Sequence, residues 1–192
     1  SARTKKSDNK MKRTAGIHHI TAIVGHPQQN VDFYAGILGL RMVKKTVNFD
    51  DPGTYHLYFG NDGGKPGTII TFFPWADAYP GVIGDGQVGV TSYVVPTGAF
   101  AFWENRLAKF NIEFSKSERF GERYLTFKDT HGLQLELVER ASGDQSSWAF
   151  GEVTSDVAIK GFGGATLFSA QPDQTAKLLV DVMGLEKIAE EK

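Results

Sequence analysis

The sequence contains no cysteine. That excludes disulfides, thiolate metal sites and a cysteine nucleophile, so any reactive centre must be built from histidines, carboxylates and hydroxyls. No apolar run approaches the roughly 20 residues that a membrane-crossing helix needs. No apolar stretch follows the N-terminal charges, as it would in a secretory signal. A cytoplasmic protein without a membrane partner is the expectation. Net charge is only −1 over 192 residues, so no global field favours nucleic acid. Spaced aromatics interleaved with basic residues, the mark of an RNA-binding sheet, are missing. The glycine-rich stretch 60–67 lacks the Lys-Ser/Thr ending of a phosphate loop, and nothing reads as a nucleophile elbow.

What is present is the composition of an ordinary globular chain, long enough for one or two domains with a real core. Residues 1–15 are the one biased segment, a basic tail carrying Arg3, Lys5, Lys6, Lys10, Lys12 and Arg13. It reads as a disordered leader, with a nucleic-acid arm as the other reading. Met11 is a possible internal start.

The most informative feature is an internal repeat. Gly16-Ile17-His18-His19-Ile20-Thr21 returns as Gly161-Phe162-Gly163-Gly164-Ala165-Thr166, both histidines having become glycine. The register holds without a gap through Pro27 and Pro172, Gly39 and Gly184, and Leu40 and Leu185. Lys192 falls opposite Val47, so the second copy stops before the strands that follow in the first.

Between the copies the pattern is strand, helix and then three strands. Ile17–Val24 alternates as a strand. Pro27 leads into a helix near Gln28–Leu38, which Gly39 stops. Strands follow at Arg41–Asn48, Thr54–Gly60 and Thr68–Phe73, with turns at Asp51-Pro52-Gly53 and Asn61-Asp62-Gly63-Gly64. This makes a first βαβββ module over 16–74. A second spans 88–139: a strand at Val88–Val95, a helix at Ala99–Phe110, and strands near Ile112–Ser115, Arg123–Lys128 and Leu133–Val138. A polar linker occupies 140–160. The segment 161–192 starts a third module, with a helix near Asp173–Met183 and a strand from Leu185, and looks truncated. Three strands after each helix argue against a doubly wound parallel sheet. The fold class is α+β: repeated βαβββ modules whose mixed sheets curl into half-barrel cups.

This pattern resembles the vicinal oxygen chelate superfamily of glyoxalases, bleomycin-resistance proteins and extradiol dioxygenases, and within it the branch that opens hydroquinones. The resemblance rests on Ile17-His18-His19-Ile20-Thr21, Tyr55-His56-Leu57-Tyr58-Phe59, Pro66 through Pro74, Phe120-Gly121-Glu122-Arg123-Tyr124 and Gly132-Leu133-Gln134-Leu135-Glu136, over about 16–190. It implies a ring-cleaving dioxygenase acting on a small aromatic diphenol and O2, with Fe(II) or Mn(II) as cofactor and a homo-oligomer as one possible assembly. It further implies that His19 is a metal ligand, that His18 stands just behind it, and that Thr21 is an active-site residue. Members of that branch have four modules and take their remaining histidine and glutamate ligands from the fourth, which this sequence does not contain.

The residues themselves leave alternatives standing. Alternation puts Ile17, His19, Thr21 and Ile23 on one face, mixed enough for a cup, and Ile20, Ala22 and Val24 on the other. His19 reads either as a ligand or as a hydrogen-bonded packing residue, while His18 should point the other way. Glu136 is either a partner for His19 in a shared cup or one end of a salt bridge. His56 either lines the cup or is an ordinary strand residue. Phe72, Phe73, Trp75 and Tyr79 either wall a pocket or pack the core. His26 reads as solvated, and His131 as a turn residue. A metal-free binding or resistance protein on the same fold, and a glyoxalase-type isomerase or lyase, are the alternative functions. Thr71, where a module-one carboxylate would stand, weighs against the latter.

Overall fold

The computed structural model describes residues 13–191. Most of the basic leader lies outside that range. Of its described part, Thr14 bonds the Met183 carbonyl through both its backbone N–H and its hydroxyl, at 3.2 and 2.6 Å.

The first unit begins with β1 (His19–Val24) and α1 (Pro27–Val31). Pro27 occupies the first turn of α1, where its missing N–H costs nothing. The imidazole of His26 accepts the Gln28 N–H at 3.2 Å, so this histidine caps a helix. The sequence suggested one regular helix to Leu38. The chain instead widens into a π-helical segment, Asp32–Ile37, closed by Leu38 N–H to the Phe33 carbonyl at 2.9 Å. With the wider turn, the consecutive Phe33 and Tyr34 and then Leu38 are all buried. Strands β2 (Arg41–Val47), β3 (Tyr55–Gly60) and β4 (Ile69–Pro74) follow. The sheet order is β1-β4-β3-β2, with β1 parallel to β4 and the other pairs antiparallel.

The second unit repeats this plan with β5 (Gln87–Val95), α2 (Phe100–Lys109), β6 (Phe114–Arg119), β7 (Glu122–Lys128) and β8 (Gln134–Glu139). Here β5 runs parallel to β8. A ninth strand, β9 (Gly161–Phe168), pairs antiparallel with β5 and makes the order β6-β7-β8-β5-β9. Helix α3 (Pro172–Asp181) follows. Most boundaries lie within about two residues of the sequence reading, and two differences stand out. The strand expected at Ile112 starts at Phe114, and the strand expected from Leu185 does not form. A strand needs a ladder partner for its backbone groups, and Leu185 has only one backbone bond, to the Leu179 carbonyl at 2.9 Å. The chain is therefore α+β with two mixed sheets, neither closed into a barrel.

One face of each sheet feeds a single core. Ile20, Val24, Leu57, Phe59, Ile70 and Phe72 come from the first sheet, and Tyr93, Val95, Leu125, Phe127, Leu135 and Leu137 from the second. Each large side chain buried there contributes about 1.5–3 kcal/mol. Helical residues Tyr34, Leu38, Trp103 and Leu107 fill the space between. Two polar side chains help tie the units together. The Tyr34 hydroxyl donates to Asp129 at 2.9 Å. Buried Arg106 on α2 donates to the carbonyls of Ile37 and Gly36 at 2.6 and 2.9 Å. These are end-of-helix carbonyls, which otherwise lack partners.

The 140–160 segment crosses back over this core. Val153, Ala158 and Ile159 are buried, and the Val157 carbonyl accepts the Trp103 indole N–H at 2.9 Å. Gly39 sits at φ +69 under Val153, whose side chain would lie 2.8 Å from any added Cβ. Helix termination and close packing thus both require glycine there.

The Arg106 contacts yield a stability prediction. Arg106→Met removes both donors and leaves the two carbonyls unpaired, which should cost on the order of 3 kcal/mol in denaturant unfolding. A loss under about 0.5 kcal/mol, the usual range of a surface change, would show that Arg106 does not hold the units together.

Candidate active-site cup

The main core consumes one face of each sheet, and on β1 the other face is left exposed. On the first sheet, strand register assigns the residues of the free face, because directly paired residues point to the same side. Thr21 pairs with Thr71, Thr71 with Tyr58 and Tyr58 with Lys44. His19 pairs with Ile69, Ile23 with Phe73 and His56 with Thr46. His19, Thr21 and Ile23 are exposed while Ile20 and Val24 are buried, as alternation requires. The Thr21 and Thr71 hydroxyls are 3.0 Å apart.

His18 departs from the alternation argument. Regular strand starts only at His19, so His18 is not bound by the pleat. Its Nδ1 lies 3.1 Å from Nδ1 of His19, and the rings meet edge to face with centroids 5.3 Å apart. His18 also lines a cleft of about 480 Å³ with Pro66, Gly67, Gly163 and Gly164, where the two copies of the repeat begin.

His56 lies in an aromatic stack. Its ring centroid is 4.1 Å from that of Tyr58 and 4.0 Å from that of Phe73. Its Nδ1 is 2.8 Å from the Tyr58 hydroxyl, and its Nε2 is buried with no hydrogen-bond partner. Burial first, then the positive charges of Lys44 and His19, hold its pKa below the usual imidazole value. The paired aromatics divide by strand parity: Phe72 is fully buried, whereas Phe73 belongs to the cup face. Trp75 donates to the Thr54 hydroxyl at 2.9 Å, and Tyr79 stands in solvent.

The second sheet shows how far the modules have diverged. Ser92 pairs with Glu136 as Thr21 pairs with Thr71, and Val90 takes the place of His19. Glu136 is buried, and Arg119 grips it through two hydrogen bonds, at 2.8 and 2.5 Å. The Ser92 hydroxyl adds a third at 2.8 Å. Burial raises the Glu136 pKa, but the Arg119 hydrogen bonds and charge, with Ser92 and Thr126, outweigh it and hold it below the ordinary value. Beside it, Arg140 grips Glu122 at 2.6 and 2.8 Å. Of the two readings of Glu136, the salt bridge is what forms. Its partner Arg119 carried no sequence signal, because the pair joins strands that are not neighbours in the sheet.

His19 and Glu136 therefore sit on different sheets. Among the described residues no three histidine or acidic side chains converge on a metal position. His19 offers one imidazole on an exposed face, and its strand is the sheet edge. A divalent centre fits these residues only if further ligands reach that edge from elsewhere.

Comparison with known proteins places this geometry in context. The family model "Glyoxalase/Bleomycin resistance protein/Dioxygenase superfamily" matches residues 16–137. The "Putative ring-cleaving dioxygenase MhqO" of Bacillus subtilis is 74% identical over 180 residues, covering 94% of this chain and 58% of that protein. The chlorohydroquinone/hydroquinone 1,2-dioxygenase of Sphingobium indicum is 41% identical over 155 residues, covering 78% of this chain and 48% of that one. The crystal structure of a "putative dioxygenase from Bacillus subtilis subsp. subtilis str. 168", also 74% identical, superposes with a TM-score of 0.93 over 94% of this chain and 58% of its own. The chain thus spans about half to three fifths of the length of these relatives.

The Glu136 ion pair makes a testable pH statement. Its stabilisation is fully present above the usual carboxylate value of 4.5 and is lost as pH falls through the depressed folded-state value. Glu136→Gln strands Arg119 and should cost about 2–3 kcal/mol at pH 7. Denaturant unfolding of both proteins from pH 7 to pH 3 should show the gap shrinking below pH 4.5. A gap independent of pH would mean that the carboxylate charge contributes nothing.

Proposed function

This chain belongs to the glyoxalase/bleomycin resistance protein/dioxygenase superfamily, and from that premise we propose that it is the N-terminal part of a ring-cleaving dioxygenase. Its substrate is a hydroquinone or related diphenol, its co-substrate O2, and its cofactor a non-haem Fe(II) or Mn(II) ion. The names of its relatives support the reaction class. One observation carries the site. His19 and Thr21 share the exposed face of β1, an edge strand. The corresponding strand of the second sheet, β5, has its matching edge filled by β9, the first strand of another module. By that internal precedent, a further module on the β1 edge would bring its own side chains over His19.

In this reading His19 is one ligand of a face with few protein ligands and open positions, the donor arrangement suited to dioxygen chemistry. A metal held there by His19 and ligands from a further module would supply Lewis-acid polarisation of the diphenol oxygen. The chain's own residues do the rest. His18, through its contact with His19, sets the orientation of that imidazole. The Thr21–Thr71 hydroxyl pair gives the cup floor a donor and an acceptor for a phenolic oxygen. Phe73 and the aromatic stack around His56 form a flat wall against a planar ring.

The test joins this chain to the remaining C-terminal part of its 74%-identical relative and compares it with the 192-residue chain alone. Metal analysis should find about one ion per joined protein, as a facial triad requires, and substoichiometric metal in the short chain. Oxygen uptake with hydroquinone should appear only in the former. His19→Ala in the joined protein should abolish ring cleavage and leave its melting temperature within a few degrees, because the side chain is exposed. Diphenol binding without metal would favour the sequestering alternative. Turnover of a glutathione adduct in place of hydroquinone would favour the glyoxalase-type one.

A further inference from the structure

Resting on the reading of the His19 cup as a diphenol site, we propose that Tyr58 and His56 form its acid–base pair. Tyr58 takes the proton of a substrate hydroxyl while handing its own proton to His56.

Position comes first. Tyr58 stands in the same cross-strand row as Thr21 and Thr71, so its hydroxyl belongs to the face that carries His19. The Tyr58 oxygen and His56 Nδ1 are 2.8 Å apart, within proton-transfer reach. When Tyr58 donates, Nδ1 is the accepting nitrogen and Nε2 carries the hydrogen. That second nitrogen is buried and unpartnered, so among the described residues the hydrogen-bonded route for a proton into His56 runs through Tyr58. A buried group left unpaired costs about 1–3 kcal/mol, and such groups call for an explanation. A ring held for proton exchange on its other side provides one.

The surroundings favour the same direction. The ring is clamped between Tyr58 and Phe73, so its angle is set before substrate arrives. The groups facing it are Tyr58 on its own strand, Lys44 from β2, His19 from β1 and the apolar Phe73 from β4. Burial, and after it the Lys44 charge, favours the neutral imidazole, ready to accept.

The repeat supplies an independent observation. In the second module, register places Tyr124 and Thr126 where His56 and Tyr58 stand in the first. There Tyr124 donates to Glu122 within the ion-pair network, and no imidazole is present. The tyrosine–histidine pair therefore occurs in the module that carries His19 and is replaced in the module where Val90 stands instead.

The step balances without an external oxidant or reductant. The substrate O–H bond breaks as a new O–H bond forms on Tyr58. The former Tyr58 O–H bond breaks as an N–H bond forms on His56. A neutral diphenol and a neutral imidazole become a phenolate and an imidazolium, with Tyr58 unchanged, and the reverse transfer returns the proton to product.

The experiment uses the joined, metal-loaded protein described above, with nitrohydroquinone bound anaerobically, because its ionisation is visible in the absorption spectrum. The unaltered protein should bind the probe as its anion. Tyr58→Phe should bind it un-ionised at the same pH and lower kcat for hydroquinone at least about 100-fold, the lower range of general acid–base effects. His56→Gln should do the same. Lys44→Met removes one of the charges that depress His56, so the acidic limb of kcat/KM should move to higher pH, a shift that a purely structural role for the stack would not produce. Tyr58→Phe that still ionises the probe and retains kcat, or a Lys44→Met limb that stays in place, overturns the pair while leaving the dioxygenase reading intact. Failure of the unaltered protein to bind or cleave any diphenol overturns that reading and this pair with it.

Discussion

The constraint on which the rest depends is that the main core is shared by two sheets and draws on one face of each. Period-two alternation sends Ile20, Phe59, Phe72, Leu125, Leu135 and their neighbours inward. The opposite face of the first sheet leaves His19, Thr21 and Ile23 exposed, whereas that of the second holds a smaller buried cluster of Val94, Tyr124 and Val138. A slip of one residue in either sheet would move the core residues to the open side and the cup residues into the core. The register that buries Phe72 is also the register that presents Thr71 and Phe73. Stability and the candidate site are two consequences of one alignment.

The two free faces have met the same physical problem in different ways. In the second sheet a buried carboxylate is neutralised from within: Arg119 supplies both charge and hydrogen bonds to Glu136, and Ser92 completes its shell. That face keeps its charges paired and has no call for an ion. In the first sheet the equivalent positions are hydroxyls, Thr21 and Thr71, and the nitrogen bases His19 and His56 stand close enough to influence each other. This face holds donors and bases without a carboxylate. The acidic group and the histidines thus stand on separate sheets. The edge position of β1 is what leaves the histidine cup open to completion.

Linking the units are contacts distant in sequence and short in space. Arg106 reaches the carbonyls at the end of the first module's helix, Tyr34 reaches Asp129, and Val153 closes over Gly39. All three lie at or beside the π-helical segment and the turn that ends it. The irregular first helix is therefore the joint between modules as well as the cover of its own sheet.

Much of this was legible in the chain itself. The three strands after each of the first two helices and the alternation from Ile17 to Val24 point to the α+β class, because backbone periodicity and turn chemistry are local properties. The same alternation assigns His19 and Thr21 to one face. Other features depended on tertiary structure. Nothing local marks Arg119 as the partner of Glu136, since they meet across intervening β7. Alternation does not reach His18, because a residue ahead of the first ladder pair is not held by the pleat. Likewise, the partnership of Tyr58 with His56 and the orphaned Nε2 follow from ring packing and burial, which depend on every neighbouring strand at once. Sequence by itself determined which residues share a face. The folded chain decided which of them touch, because contact is set by the three-dimensional register of strands far apart along the chain.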